Sequence, residues 1–79
     1  MHNLPRYRSH KIVQASQIKH MDYGLDYVIL HLEHGQVDVP YEWIEKHSPF
    51  VGGYYVVYPD KYVSFSPKGA FESGYTKEA

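Results

Sequence analysis

The chain has no cysteine among its 79 residues, which excludes a disulfide framework and any thiolate metal ligand. It has no apolar run long enough to span a bilayer or to form the core of a secretory signal. The expectation is therefore a cytoplasmic protein with no membrane contact. Gly52-Gly53, the one Gly-Gly pair, leads into extended chain rather than into a helix, so the geometry that cradles phosphate is missing. Its expected role is a tight turn or a close backbone approach. There is no nucleophile elbow and no paired-carboxylate signature. A chain this short also struggles to wall off a pocket of the roughly 300 Å³ that small-molecule sites need. No enzymatic activity, catalytic residue or cofactor is expected.

Excess charge of one sign is also missing, since the net charge is −1, so no global field favours nucleic acid. The distribution is less even. Residues 1 to 21 carry Arg6, Arg8, Lys11 and Lys19 and no acid, whereas residues 22 to 45 carry Asp22, Asp26, Glu33, Asp38, Glu42 and Glu45 and no Lys or Arg. Either a basic strand pairs with an acidic hairpin inside the fold, or the two segments form partner-facing patches of opposite sign. Six histidines are present. His31 and His34 are three apart, a spacing that converges on a helix but not across a strand and a turn, and a closed metal site wants four ligands. No metal site is expected.

What the sequence has in abundance is aromatic surface, with nine tyrosines. Residues 1–9 are expected to be an irregular basic arm of a single domain, residues 1–79. In 11–19, Val13, Ala15 and Gln17 alternate with Ile12, Gln14, Ser16 and Ile18, which favours a strand over the helix that Ile12, Ala15 and Lys19 also fit. Asp22-Tyr23-Gly24 reads as a turn. In 27–39, placing His34-Gly35 in a two-residue loop pairs Leu32 with Val37 and Leu30 with Val39, and gathers the apolar side chains on one face. Pro40 precedes a short helix over 41–47. Tyr58-Pro59-Asp60-Lys61 is type I turn chemistry. It pairs Tyr58 with Tyr62, Val57 with Val63 and Tyr55 with Phe65, and puts Tyr54, Tyr58 and Tyr62 on the face away from that apolar set. Ser66-Pro67 suits a helix start, with Gly74 as its stop.

The segment GGYYVVYPDKYVSFSPKGAFESGYTK resembles the C-terminal part of small proteins encoded by tailed phages and prophages, whose activity is not established. Their pattern is a Gly-Gly-Tyr-Tyr strand, an Asp-Gly turn, a Tyr strand with Ser-x-Ser-Pro, and a short helix ending in Gly-Tyr. YRSHKIVQASQI resembles their opening, which supports a strand over 11–19. Lys61 stands where that family has Gly, and Gly69 where an acidic residue would complete a capping box with Ser66. The resemblance implies a phage origin, and proteins of this kind and size often bind and inhibit a host protein, as anti-CRISPR proteins do.

The expected fold is α+β: a twisted antiparallel sheet of four to five strands, partly closed in an SH3-like manner, with two short helices. The expected function is non-enzymatic binding of a host protein through Tyr54, Tyr58, Tyr62, Tyr41, Glu42 and Glu45, because interface centres favour large aromatic side chains. A competing arrangement covers the tyrosine face with a helix. The alternative function is nucleic-acid binding, with Arg6, Arg8, Lys11 and Lys61 on phosphates and the sheet tyrosines stacking bases. A homodimer is a third option.

Overall fold

The structure is a computed structural model that describes residues 4–8 and 12–77. Among these residues the chain forms seven strands and two helices: β1 (Arg6–Arg8), β2 (Ile12–Tyr23), β3 (Tyr27–Leu32), β4 (Gly35–Pro40), α1 (Tyr41–His47), β5 (Tyr54–Val57), β6 (Val63–Ser66), α2 (Lys68–Gly74) and β7 (Thr76–Lys77). All pairings are antiparallel and the sheet is not closed. The α+β class is as expected, but the strand number is seven rather than four to five, and the SH3-like closure does not form. The irregular arm also needs correction. Arg6–Arg8 is a strand, held between β2 and β7, and the rest of the arm, Leu4 and Pro5 excepted, lies outside the described residues, as does Lys11.

β2 is the spine. Its first half pairs with both β1 and β5, and its second half pairs with β3 after a bulge between Ile18 and His20. The alternation over 12–18 settles as strand, with Val13 and Ala15 buried on one face and Ile18 on the other. Asp22 and Tyr23 stay in the strand, opposite Ile29 and Val28, so the turn falls later, where the Gly24 N–H donates to the Tyr27 carbonyl at 2.9 Å.

The β3–β4 hairpin keeps the expected faces but not the expected register. Leu30 pairs with Val37 and Val28 with Val39, and Leu32 meets Gly35. A shift of two residues leaves every side chain on its own face, so hydrophobic patterning cannot distinguish these registers. The turn decides: Gly35 adopts φ 104°, a left-handed conformation open to glycine, and Glu33 and His34 form the loop.

The β5–β6 hairpin follows its expected register. Val57 faces Val63 and Tyr55 faces Phe65, and the N–H groups of Tyr58 and Lys61 donate to the carbonyls of Tyr62 and Tyr58, each at 2.9 Å. Both expected roles of the glycine pair are present. Gly52 takes φ 102° in the turn. Gly53 lies so close to β6 that a Cβ there would sit 2.3 Å from the Phe65 ring. The start of α2 differs from expectation. Ser66 stays in the β5–β6 ladder opposite Tyr54, so Pro67 is the N-cap. Gly74 remains within the helix, and Tyr75 closes it by donating to the Phe71 carbonyl.

Two apolar clusters result, one on each face of the sheet. The larger joins Leu4, Ile18, Val28, Leu30, Leu32 and Val39, with Trp43 and Ile44 of α1 and with Tyr55, Val57 and Phe65 packed against it. The Trp43 indole N–H donates to the Val63 carbonyl at 3.2 Å, which ties α1 to β6. The smaller cluster joins Val13, Ala15, Tyr54 and Val56 under Phe71 of α2. Both faces of β5 are therefore covered.

Candidate functional site

The tyrosines expected to form one exposed row do not share one environment. Tyr54 is buried, at 7% exposure. Its ring stacks on Phe71 with centroids 4.3 Å apart and meets the edge of Tyr7 at 6.1 Å. Its hydroxyl donates to Glu72 Oε2 at 2.7 Å. Burial first, and then that hydrogen bond, push the hydroxyl well above the ordinary tyrosine range. Tyr54 is a core residue and is withdrawn as a contact residue. The covering helix that competed with the exposed row is α2.

Tyr58 is half-buried and Tyr62 is exposed, at 44%. Their rings stack at 6.0 Å beside the β5–β6 turn and, with Pro59 and Asp60, line a shallow open hollow. The C-terminal turn of α1 adds to this ledge. Lys46 Nζ lies 5.3 Å from the centre of the Tyr62 ring and the His47 imidazole 6.2 Å away. Burial and then the Lys46 charge lower the His47 pKa. Glu42 and Glu45 are exposed on the same short helix. Tyr41, at its start, is half-buried and turns away from the ledge, donating its hydroxyl to the Gly24 carbonyl. Of the six expected contact residues, the structure thus brings Tyr58 and Tyr62 together, leaves Glu42 and Glu45 exposed on α1, and has Tyr41 brace the β2–β3 turn.

The turn geometry that presents the ledge has a cost. Lys61 sits at φ 74°, a left-handed position that favours glycine. Asp60 offsets part of this by accepting the Tyr62 N–H at 3.0 Å.

The basic residues divide. Arg6 and Arg8 are exposed on β1, opposite Gln14 and Ile12, on the other half of the sheet from the acidic β3–β4 hairpin. Of the basic segment, the Lys19 half of β2 pairs with the acidic β3–β4 hairpin, whereas Arg6 and Arg8 on β1 do not. Arg6 and Lys61 line one hollow with Tyr58.

The histidines find separate partners. His20 and His31 meet Asp22, with Nε2 atoms 3.0 and 2.6 Å from its two carboxylate oxygens. Those hydrogen bonds, His31 first, hold the Asp22 carboxyl below the usual range. His34 lies against Ser16, whose buried Oγ accepts the His34 N–H at 3.0 Å. Among the described residues, no group of three or more His, Asp or Glu is placed to hold a metal ion. Ser64 and Ser66 donate to the nearby carbonyls of Phe65 and Pro67.

One surface feature carried only a weak sequence signal. The β2–β3 turn holds Leu25 at 99% exposure, flanked by exposed Tyr23 and Tyr27 and by Asp22 and Asp26. Asp22-Tyr23-Gly24 marked a turn there. The hint of function was an apolar leucine where turn residues are ordinarily polar.

No protein-family model, curated protein or solved structure matches this chain. No helix among the described residues is long and apolar enough to cross a membrane.

Proposed function

We propose that this chain is a non-enzymatic binding module and that the ledge of Tyr62, Tyr58 and the α1 C-terminus contacts a partner protein. The observation that carries the reading is the exposed Tyr62 ring, stacked on Tyr58 and flanked by Lys46. Tyrosine held in this way offers apolar contact area at low entropic cost, which is why it is enriched at interface centres. Glu42 and Glu45 supply polar contacts at the rim. The resemblance to small phage proteins supports a bacterial host protein as the partner, with inhibition as the outcome.

The test is capture from host lysate after nuclease treatment. The tagged wild-type protein is expected to retain a stoichiometric protein partner that Tyr62→Ala loses. A partner retained equally by Tyr62→Ala contradicts the ledge as the contact.

A second reading has one observation in its favour, the placement of Arg6, Lys61 and Tyr58 around a single hollow. Basic and aromatic side chains together suit a single-stranded nucleic acid. Binding of that kind would fall steeply with salt and would be lost in an Arg6→Ala/Lys61→Ala variant. The burial of Tyr54 removes one of the stacking surfaces it would need.

A further inference from the structure

The β2–β3 turn is an apolar knob held in place. Gly24 donates to Tyr27 across it, a Cβ on Gly24 would come within 2.9 Å of the Tyr27 carbonyl, and the Tyr41 hydroxyl braces it from α1. Leu25 is its summit, with Asp22 and Asp26 beside it. A rigid turn that holds a leucine wholly in water gains by burying it, because little conformational freedom is left to lose.

The same molecule contains a matching recess. Leu4, Val37, Tyr55, Val57 and Val63, together with Gln14 and Lys61, line a predominantly apolar groove of about 160 Å³. Arg6 shares the adjoining hollow with Lys61. A recess of this volume suits one branched aliphatic side chain, since an apolar cavity of about 150 Å³ holds a benzene molecule. Knob and groove are complementary in three respects: convex against concave, apolar against apolar, and carboxylate-flanked against lysine-rimmed.

They do not meet within one molecule. Leu25 is 99% exposed at the tip of the β2–β3 turn, and the groove extends from Gln14 near the start of β2 to Val37, which stands level with Met21 through Leu30. We infer that the groove receives Leu25 of a second copy of this chain, with Asp26 of the knob approaching Lys61 of the groove. The contact joins two different surfaces, so it is heterologous, and the assembled mass grows with concentration. A short chain that leaves much of its surface in water gains apolar burial by this route.

Sedimentation of the wild-type protein at low and high salt, up to about 1 mM so that weak contacts register, tests the inference. The sedimentation coefficient is expected to rise with concentration, and the association to weaken several-fold at high salt without vanishing, because its core is apolar. Leu25→Ser is expected to remain monomeric, and its melting temperature to stay unchanged, because the side chain touches solvent only. Lys61→Glu weakens self-association about 3- to 5-fold or more, as reversal of one exposed charge contact does. Mixing the two variants restores a hetero-complex, since Leu25→Ser keeps the groove and Lys61→Glu keeps the knob. A wild-type protein that stays monomeric at the top concentration overturns the inference, as does a Leu25→Ser variant that associates like wild type. Neither result bears on the Tyr62 ledge, from which Leu25 is remote in the fold and which Leu25→Ser leaves intact.

Discussion

Replacing Lys61 with glycine should make the protein more stable, although it removes a side chain and adds none. Lys61 is held at φ 74° because its N–H donates to the Tyr58 carbonyl while the next residue, Tyr62, accepts the Tyr58 N–H at its carbonyl and donates its own N–H to Asp60. A left-handed conformation costs a residue with a Cβ about 1–2 kcal/mol. Glycine avoids that cost but loses about 0.4–1 kcal/mol through the greater freedom of its unfolded chain. The difference favours glycine by about 0.5–1 kcal/mol, which in a domain of this size raises Tm by about 2–8 °C. Thermal and urea denaturation followed by circular dichroism, at low micromolar concentration where self-association contributes nothing, would measure it. Lys61→Ala is the control: it removes the charge and the long stem but keeps the Cβ, so no gain is expected. A Lys61→Gly variant no more stable than Lys61→Ala would refute the claim that backbone strain is stored in this turn.

Three further outcomes follow from the packing and the electrostatics. Tyr54→Ala should cost about 3–5 kcal/mol as a buried aromatic truncation, whereas Tyr62→Ala should cost under about 1 kcal/mol as a surface one, a contrast that equilibrium urea unfolding resolves. Gly53→Ala should lose about 1–3 kcal/mol, because its Cβ would collide with the Phe65 ring; Gly69→Ala, in α2 with open space around it, should gain about 0.5–1 kcal/mol in helix propensity. The His47 pKa is lowered on folding from its ordinary 6.5, so the neutral ring is the form the fold prefers. Its contribution is complete above pH 6.5 and is lost as pH falls through the lower folded value. The stability of His47→Gln should therefore fall less steeply below pH 6.5 than that of wild type, as paired urea titrations at several pH values would show.

How much of this was legible in the sequence depends on what carried the information. The register of the β5–β6 hairpin was readable because Tyr58-Pro59-Asp60-Lys61 fixes the turn, and the turn fixes the pairs behind it. In β3–β4 the alternation fixed the faces, but a shift of two residues satisfies it equally, and only the left-handed φ of Gly35 breaks the tie. β1 and β7 are too short for any periodicity: β1 forms because the edge of β2 offers it hydrogen-bonding partners, and β7 because β1 then does the same. The burial of Tyr54 did have a signal. Tyr54-Tyr55-Val56-Val57 is apolar at every position, the pattern of a strand covered on both faces, and the tyrosines in it disguised that pattern as a recognition surface. The ledge itself could not be assembled from sequence, because Tyr62 meets Lys46 and His47 only through the tie between Trp43 and the Val63 carbonyl.

The central claim is that Tyr62 and its neighbours on α1 contact a protein, and the most direct measurement is nuclease-treated capture from host lysate with wild type and Tyr62→Ala side by side, each first shown to be folded. The account predicts a stoichiometric protein partner on the wild type that is absent from the variant. Recovery of nuclease-sensitive material alone, or of the same partner on both, would contradict it.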